Sequence, residues 1–272
     1  MTADVLTIAD ELREEGVHLT AIDLYGWLLG YDDSAAAHFG IGQSYGKTGH
    51  YDAALEHLDL AFAMDPDRPT GYGYYAYILE RAGRMAEADR AYRRALRGTE
   101  RDDLWTRSHQ AWFLEKDGRL DEAERTFQAI LADSPKHTWS SKRYALLLRH
   151  NEKPAQARAV LTAAVRDGGL YARLNLLEYL LLTGAPDYGA CRAELGDPTE
   201  PDWLPVLLEL FDYYREHLLP GRPDPDRLAR WTTSAEALTA GVHRDFDDLT
   251  ALLADRNGDM ATWRGQLARL QR

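Results

Sequence analysis

The stretch "YGKTGHYDAALEHLDLAFAMDP", residues 45–66, decides the fold. It places Gly49, Ala54 and Ala61 where a free-standing helix would gain from larger side chains, and it closes on Pro66. Small residues at fixed intervals mark close backbone approach. Gly42 and Ala54 lie twelve residues apart on either side of Gly49, and the same small pair recurs as Ala9/Ala21, Ala76/Ala88, Ala111/Ala123 and Ala145/Ala157. The second members step by 33, 34, 35 and 34 residues. Five such pairs in register define an internal repeat.

Other columns follow the same step. Four residues after each second small residue stand Tyr25, Leu58, Tyr92, Phe127 and Leu161, and seven after it Leu28, Ala61, Ala95, Ile130 and Ala164. Spacings of three, four and seven put these side chains on one helical face. Gly16, Gly49, Gly83 and Gly118 each stand just before a second helix. Glycine tolerates the left-handed backbone that ends a helix, so each marks a cap and turn. In the fifth unit Asn151 is expected to take that role. Pro66 and Pro135 close two units, since proline stops one helix and permits the next. The repeat is therefore a helix–turn–helix pair, its small residues lying where two antiparallel helices cross.

This pattern resembles the tetratricopeptide repeat family. The motif is clearest in residues 41–66, then in "YAYILERAGRMAEADRAYRRAL" (75–96) and "AWFLEKDGRLDEAERTFQAILADSP" (111–135). The Trp common early in the family's first helix is replaced by His38 and Tyr72. The resemblance implies an all-α, right-handed superhelical solenoid of stacked antiparallel helix pairs. About six pairs are expected over residues 1–196, with degenerate repeats or a helical cap over 197–272. The sixth pair, around Gly184, blurs the columns because Glu178/Ala190 stands in for the small pair. Beyond it, "DPTEPDW" breaks the chain and "WLPVLLELFDYYREHLL" reads as a longer helix. "PGRPDPD" reads as a linker, and Gly258 as the turn of a last repeat.

Composition narrows the partners. The formal charge is −12, which disfavours nucleic acid and anionic membrane surfaces. The pentatricopeptide relatives, which bind RNA through basic surfaces, are disfavoured on the same ground. Cys191 is the only cysteine, so no intrachain disulfide is expected, and the acids of "MTADVLTIADELREEG" do not suit a signal peptide. A cytoplasmic setting is the expectation. No cysteine/histidine cluster has metal-ligand spacing, and no phosphate loop, nucleophile elbow or HExxH is present. "HRDFDD" (243–248) has the letters of a kinase catalytic loop and nothing else of a kinase. Neither a catalytic residue nor a metal or cofactor site is assigned.

Two features remain as candidates. Arg13, Lys47, Arg81, Lys116 and Arg149 form a column near the ends of the first helices. Cations there offset the helix macrodipole; the second reading is a positive track in an acidic shell. Before them lie Phe39, Tyr77, Trp105, Trp112 and Trp139, with Tyr179 in the sixth unit. The family's geometry turns these positions towards a groove, beside Gln43, Lys142 and Asn175. Aromatic stripes are commonly core, but the packing columns here are already filled. Some family members clamp the terminal carboxylate of a chaperone peptide with Lys, Arg and Asn; here the equivalent places hold Phe39 and Gln43, or Lys142 and Leu146. The expectation is a non-enzymatic adaptor for another protein or peptide, one carrying acidic or C-terminal carboxylate groups. The alternatives are a sensor of a small molecule or signalling peptide, and an accessory subunit of a biosynthetic enzyme.

Overall fold

The computed structural model describes residues 2–66, 68, 70–98, 103–167, 169–196 and 203–218, with Asp224 and Asp226. Thirteen α-helices run through the described residues. They are α1 (Thr2–Glu14), α2 (His18–Leu29), α3 (Ala35–Lys47), α4 (Tyr51–Met64), α5 (Tyr72–Arg81), α6 (Met85–Arg97) and α7 (Leu104–Lys116). There follow α8 (Leu120–Asp133), α9 (Thr138–His150), α10 (Pro154–Asp167), α11 (Leu170–Leu182), α12 (Tyr188–Leu195) and α13 (Trp203–Tyr213), the last continuing into a π-helical turn, Tyr214–Leu218. No strand occurs among the described residues. The chain divides into two compact units, residues 1–130 and 131 onwards.

In the first unit α1/α2, α3/α4 and α5/α6 pack as helix pairs, each resting on the next. The small column lies at the crossings: Ala9, Ala21, Ala54, Ala76, Ala88, Ala111 and Ala123 are fully buried. A methyl group added at Gly42 would stand 2.7 Å from Leu58 Cγ and 3.0 Å from the Ala54 carbonyl oxygen. The column of large residues, Tyr25, Leu58, Tyr92 and Phe127, is fully buried behind it. The second unit repeats the arrangement in α9/α10 with Ala145, Ala157, Leu161 and Ala164.

The turns are built alike. In α1, the amide after the cap reaches back from Gly16 to the Arg13 carbonyl, and Val17 to that of Leu12. Gly49/His50, Gly83/Arg84, Gly118/Arg119 and Gly184/Ala185 bond in the same way. This double closure is the Schellman motif, and it needs a left-handed residue at the first of the two positions. In the fifth turn that residue is Glu152, at φ 59°, whereas Asn151 at φ −87° is an ordinary helix end. The expectation for Asn151 is corrected: the register five residues before Ala157 falls on 152. A side chain held left-handed is strained. Glu152→Gly should therefore raise stability by about 0.5–1 kcal/mol in chemical denaturation.

The sixth pair departs from the register for a local reason. α12 begins four residues after Gly184, where the earlier second helices begin two after their turn residue. Tyr188 is buried in consequence, and Ala190 is exposed rather than at a crossing. α13 and its π turn bury Leu204, Leu207, Leu208, Phe211, Tyr213 and Tyr214. Asp212 accepts from the Tyr188 hydroxyl at 2.9 Å and from Arg192 Nε at 3.1 Å. The break at 197–202, almost all of the linker and everything after Asp226, Gly258 included, lie outside the described residues.

Candidate functional site

In the first unit the first helices α1, α3, α5 and α7 wall a cleft of about 290 Å³. Arg13, His18, Gln43, Lys47, Tyr74, Trp105 and Thr106 line it, with Gly71 and Asp103 at the loops. Asp103 is fixed as the N-cap of α7, its carboxylate accepting from the Thr106 amide at 2.8 Å. Gly71, at φ 102°, leads into α5, and any side chain there would collide with the Phe39 ring.

A ladder of rings runs along α5 and α7 beside the cleft. Tyr74 and Tyr77 lie 6.1 Å apart, and Tyr77 meets Trp105 edge-on at 5.8 Å. Trp105 stacks on His109 at 3.9 Å, and His109 meets Trp112 at 6.4 Å. Lys116 Nζ stands 3.3 Å above the Trp112 ring. Trp105 remains 40% exposed, and Tyr77 and Trp112 are half-buried. A large ring left that open on a packed helix is an available contact surface. Tyr74 and His109 were missed in the sequence. Their spacing of three from Tyr77 and Trp112 would have placed them on the same face.

The cation column is largely engaged within the fold. Arg13 bonds the Tyr25 hydroxyl and Asp10, each at 3.3 Å, partners that hold its guanidinium charged despite burial. Arg81 Nε donates to the Tyr51 hydroxyl at 3.0 Å. Lys116 reaches Glu80 at 2.6 Å, where the carboxylate is buried and also accepts from Tyr92. Lys47 is exposed and makes no ion pair among the described residues. His18 lines the same cleft as Lys47 and Arg13; burial first, and then those two cations, push its imidazole below the usual range. The cleft thus holds the unpaired charge of Lys47, the internally paired Arg13 guanidinium and the capping carboxylate of Asp103, with His18 neutral at physiological pH.

The second unit treats its candidates differently. Lys142 and Glu178 form an ion pair at 2.7 Å with side chains 16% and 5% exposed. Asn175 is buried, donating to the Thr138 carbonyl at 3.3 Å, and Tyr179 is buried with its hydroxyl on the Pro154 carbonyl at 3.0 Å. With Leu146 and Arg149 they surround a cavity of about 20 Å³. That is room for one water. Trp139 is half-buried, with Arg143 5.7 Å from its ring centre. In the first unit Phe39 is also set in the core, against Phe62 and beneath Arg68 at 4.0 Å. Of the residues expected at a groove, the structure therefore gathers Gln43, Lys47, Tyr77, Trp105 and Trp112. Arg81 and Lys116 stand on the same two helices as the ladder but are internally bonded.

Comparison with known proteins agrees with this architecture. A family model for the tetratricopeptide repeat matches residues 39–103. Among solved structures, the type IV pilus biogenesis factor PilW is similar at TM-score 0.61 and 19% identity, covering 76% of this chain and 98% of its own. PilF of Pseudomonas aeruginosa is similar at 0.59 and 16%, covering 71% and 90%. A tetratricopeptide repeat protein from Parabacteroides merdae is similar at 0.51 and 16%, covering 88% and 99%. The search of curated proteins finds no match. Residues 39–103 carry the tetratricopeptide repeat signature, and the helix-pair fold around them is the fold of the solved structures above. Among the described residues no helix is long and apolar enough to cross a membrane.

Proposed function

We propose that the chain is a non-enzymatic adaptor that binds a segment of another protein on the ring ladder and cleft of its first unit. The observation that carries this reading is the Trp105 ring, exposed and stacked on His109, at the wall of a cleft that holds the unpaired charge of Lys47. Exposed aromatics beside a cation are the usual anchors of a protein interface. The partner segment carries apolar or aromatic side chains for the ladder and a carboxylate, from a side chain or a C-terminus, for Lys47. The rest of the surface, at −12 overall, repels such a segment, so attraction is local and screened by salt.

Selection of displayed peptides on the intact chain tests this. Trp112→Ala should weaken the selected peptides by more than about 1–2 kcal/mol with the melting temperature nearly unchanged, and Lys47→Ala should weaken them less as salt rises. A sharp fall in melting temperature for Trp112→Ala would make that ring core and sink its role as an anchor.

A further inference from the structure

We propose that His38 and His57 act as one proton-sharing pair, a pH-sensitive latch between α3 and α4 that accepts one added proton and opens on a second. His38 Nδ1 lies 2.8 Å from His57 Nδ1, and His38 Nε2 lies 2.9 Å from Asp33 Oδ1. His38 is 7% exposed, and its two ring nitrogens are held by Asp33 and His57. An ionised carboxylate can only accept, so the hydrogen of neutral His38 sits on Nε2. Its Nδ1 is then an acceptor, and His57 must carry its own hydrogen on Nδ1. One added proton keeps the contact: His38 as imidazolium donates to both Asp33 and His57, whose hydrogen moves to Nε2. A second added proton puts hydrogens on both facing nitrogens and two cations on rings 5.0 Å apart. The contact cannot survive that.

Asp33 bears on His38, and Glu56 on α4 favours the charged form of His57. The Tyr45 ring is 5.9 Å from His57 and 6.0 Å from His50. On α2, which also packs against α3, the Tyr25 hydroxyl is held by Asp10 and stays neutral because burial raises it. Burial first, and then His38, hold His57 below the usual imidazole range. The sign follows. The unfolded chain takes up protons at ~6.5, before the folded pair accepts its second, so stability is lost as pH falls below ~6.5. α3 also carries Gln43 and Lys47, so loosening falls on a wall of the cleft.

The test is thermal melting of the full chain from about pH 7.5 to about 5.5, beside His57→Gln, which keeps an N–H donor for His38 but cannot titrate. The native chain should lose at least ~2–4 °C more than the variant across that range. Nitrogen NMR at high pH should find His38 protonated on Nε2 and His57 on Nδ1. Equal pH dependence in the two proteins, or a His57 that titrates like a free imidazole with its hydrogen on Nε2, would overturn the proposal. Should His57→Gln not fold, Asp33→Asn, on an exposed side chain, removes the anion that favours the first proton; it should steepen the acid loss, and an unchanged slope counts against the latch.

Discussion

Lys142→Ala is expected to destabilise the protein by about 3–5 kcal/mol, the largest effect of any single substitution considered for this chain. Glu178 has only 5% of its side chain exposed, and Lys142 pairs with it at 2.7 Å. Truncating the lysine removes the ion-pair partner of a nearly enclosed carboxylate, beside a cavity with room for one water. Such a charge either stays at high cost or takes a proton, and both outcomes weaken the fold. The pair itself contributes little, because both ions were taken out of water to make it. Lys142→Met with Glu178→Leu should accordingly come within about 1–2 kcal/mol of the native chain, on either side. Chemical denaturation of the single and double variants separates the two statements. A loss below about 1 kcal/mol for Lys142→Ala would mean that water reaches Glu178 and that the site is not closed.

Ala88→Leu should cost about 1–3 kcal/mol, because the added atoms enter a helix crossing with no free volume. Ala88 and its opposite, Ala76, are both fully buried. Two residues earlier on α6, Ala86 is exposed, and Leu there should change stability by no more than about 0.5 kcal/mol. Equal shifts from Leu at 86 and 88 would show the repeat register to be wrong.

The fold was legible because the repeat prints the same constraint five times. A twelve-residue spacing of small side chains has one simple cause, two backbones in contact, and buried alanines, with Gly42 in the second pair, occupy that place from Ala9/Ala21 to Ala145/Ala157. Asn151 tolerates the left-handed backbone better than Glu, yet counting back from Ala157 lands on Glu152. Residue type was a weaker guide than position.

The site was legible only in part, for a different reason. A column of aromatics says which helix face they share, but not whether a neighbouring loop covers them. Phe39 is covered by Phe62 and Arg68, whereas Trp105, in the same kind of column, is left open. Likewise the cations share a helical position, yet Lys116 meets Glu80 from the preceding pair, 36 residues away, and Lys47 meets no such acid. Those outcomes depend on side chains one repeat away, which a single column does not reveal. The latch between His38 and His57 escaped for the same reason, since only the α3–α4 crossing brings residues 19 apart to 2.8 Å.

The central claim, that the first unit's ladder and cleft receive a partner segment, is met most directly by backbone amide NMR of the full chain titrated with a peptide taken from the displayed selection. Shifts should concentrate on α3, α5 and α7 around Lys47, Tyr77, Trp105 and Trp112, and Trp105→Ala should abolish most of them while leaving the spectrum of the free protein folded. Shifts gathered elsewhere on the molecule, or a binding isotherm untouched by Trp105→Ala, would contradict it.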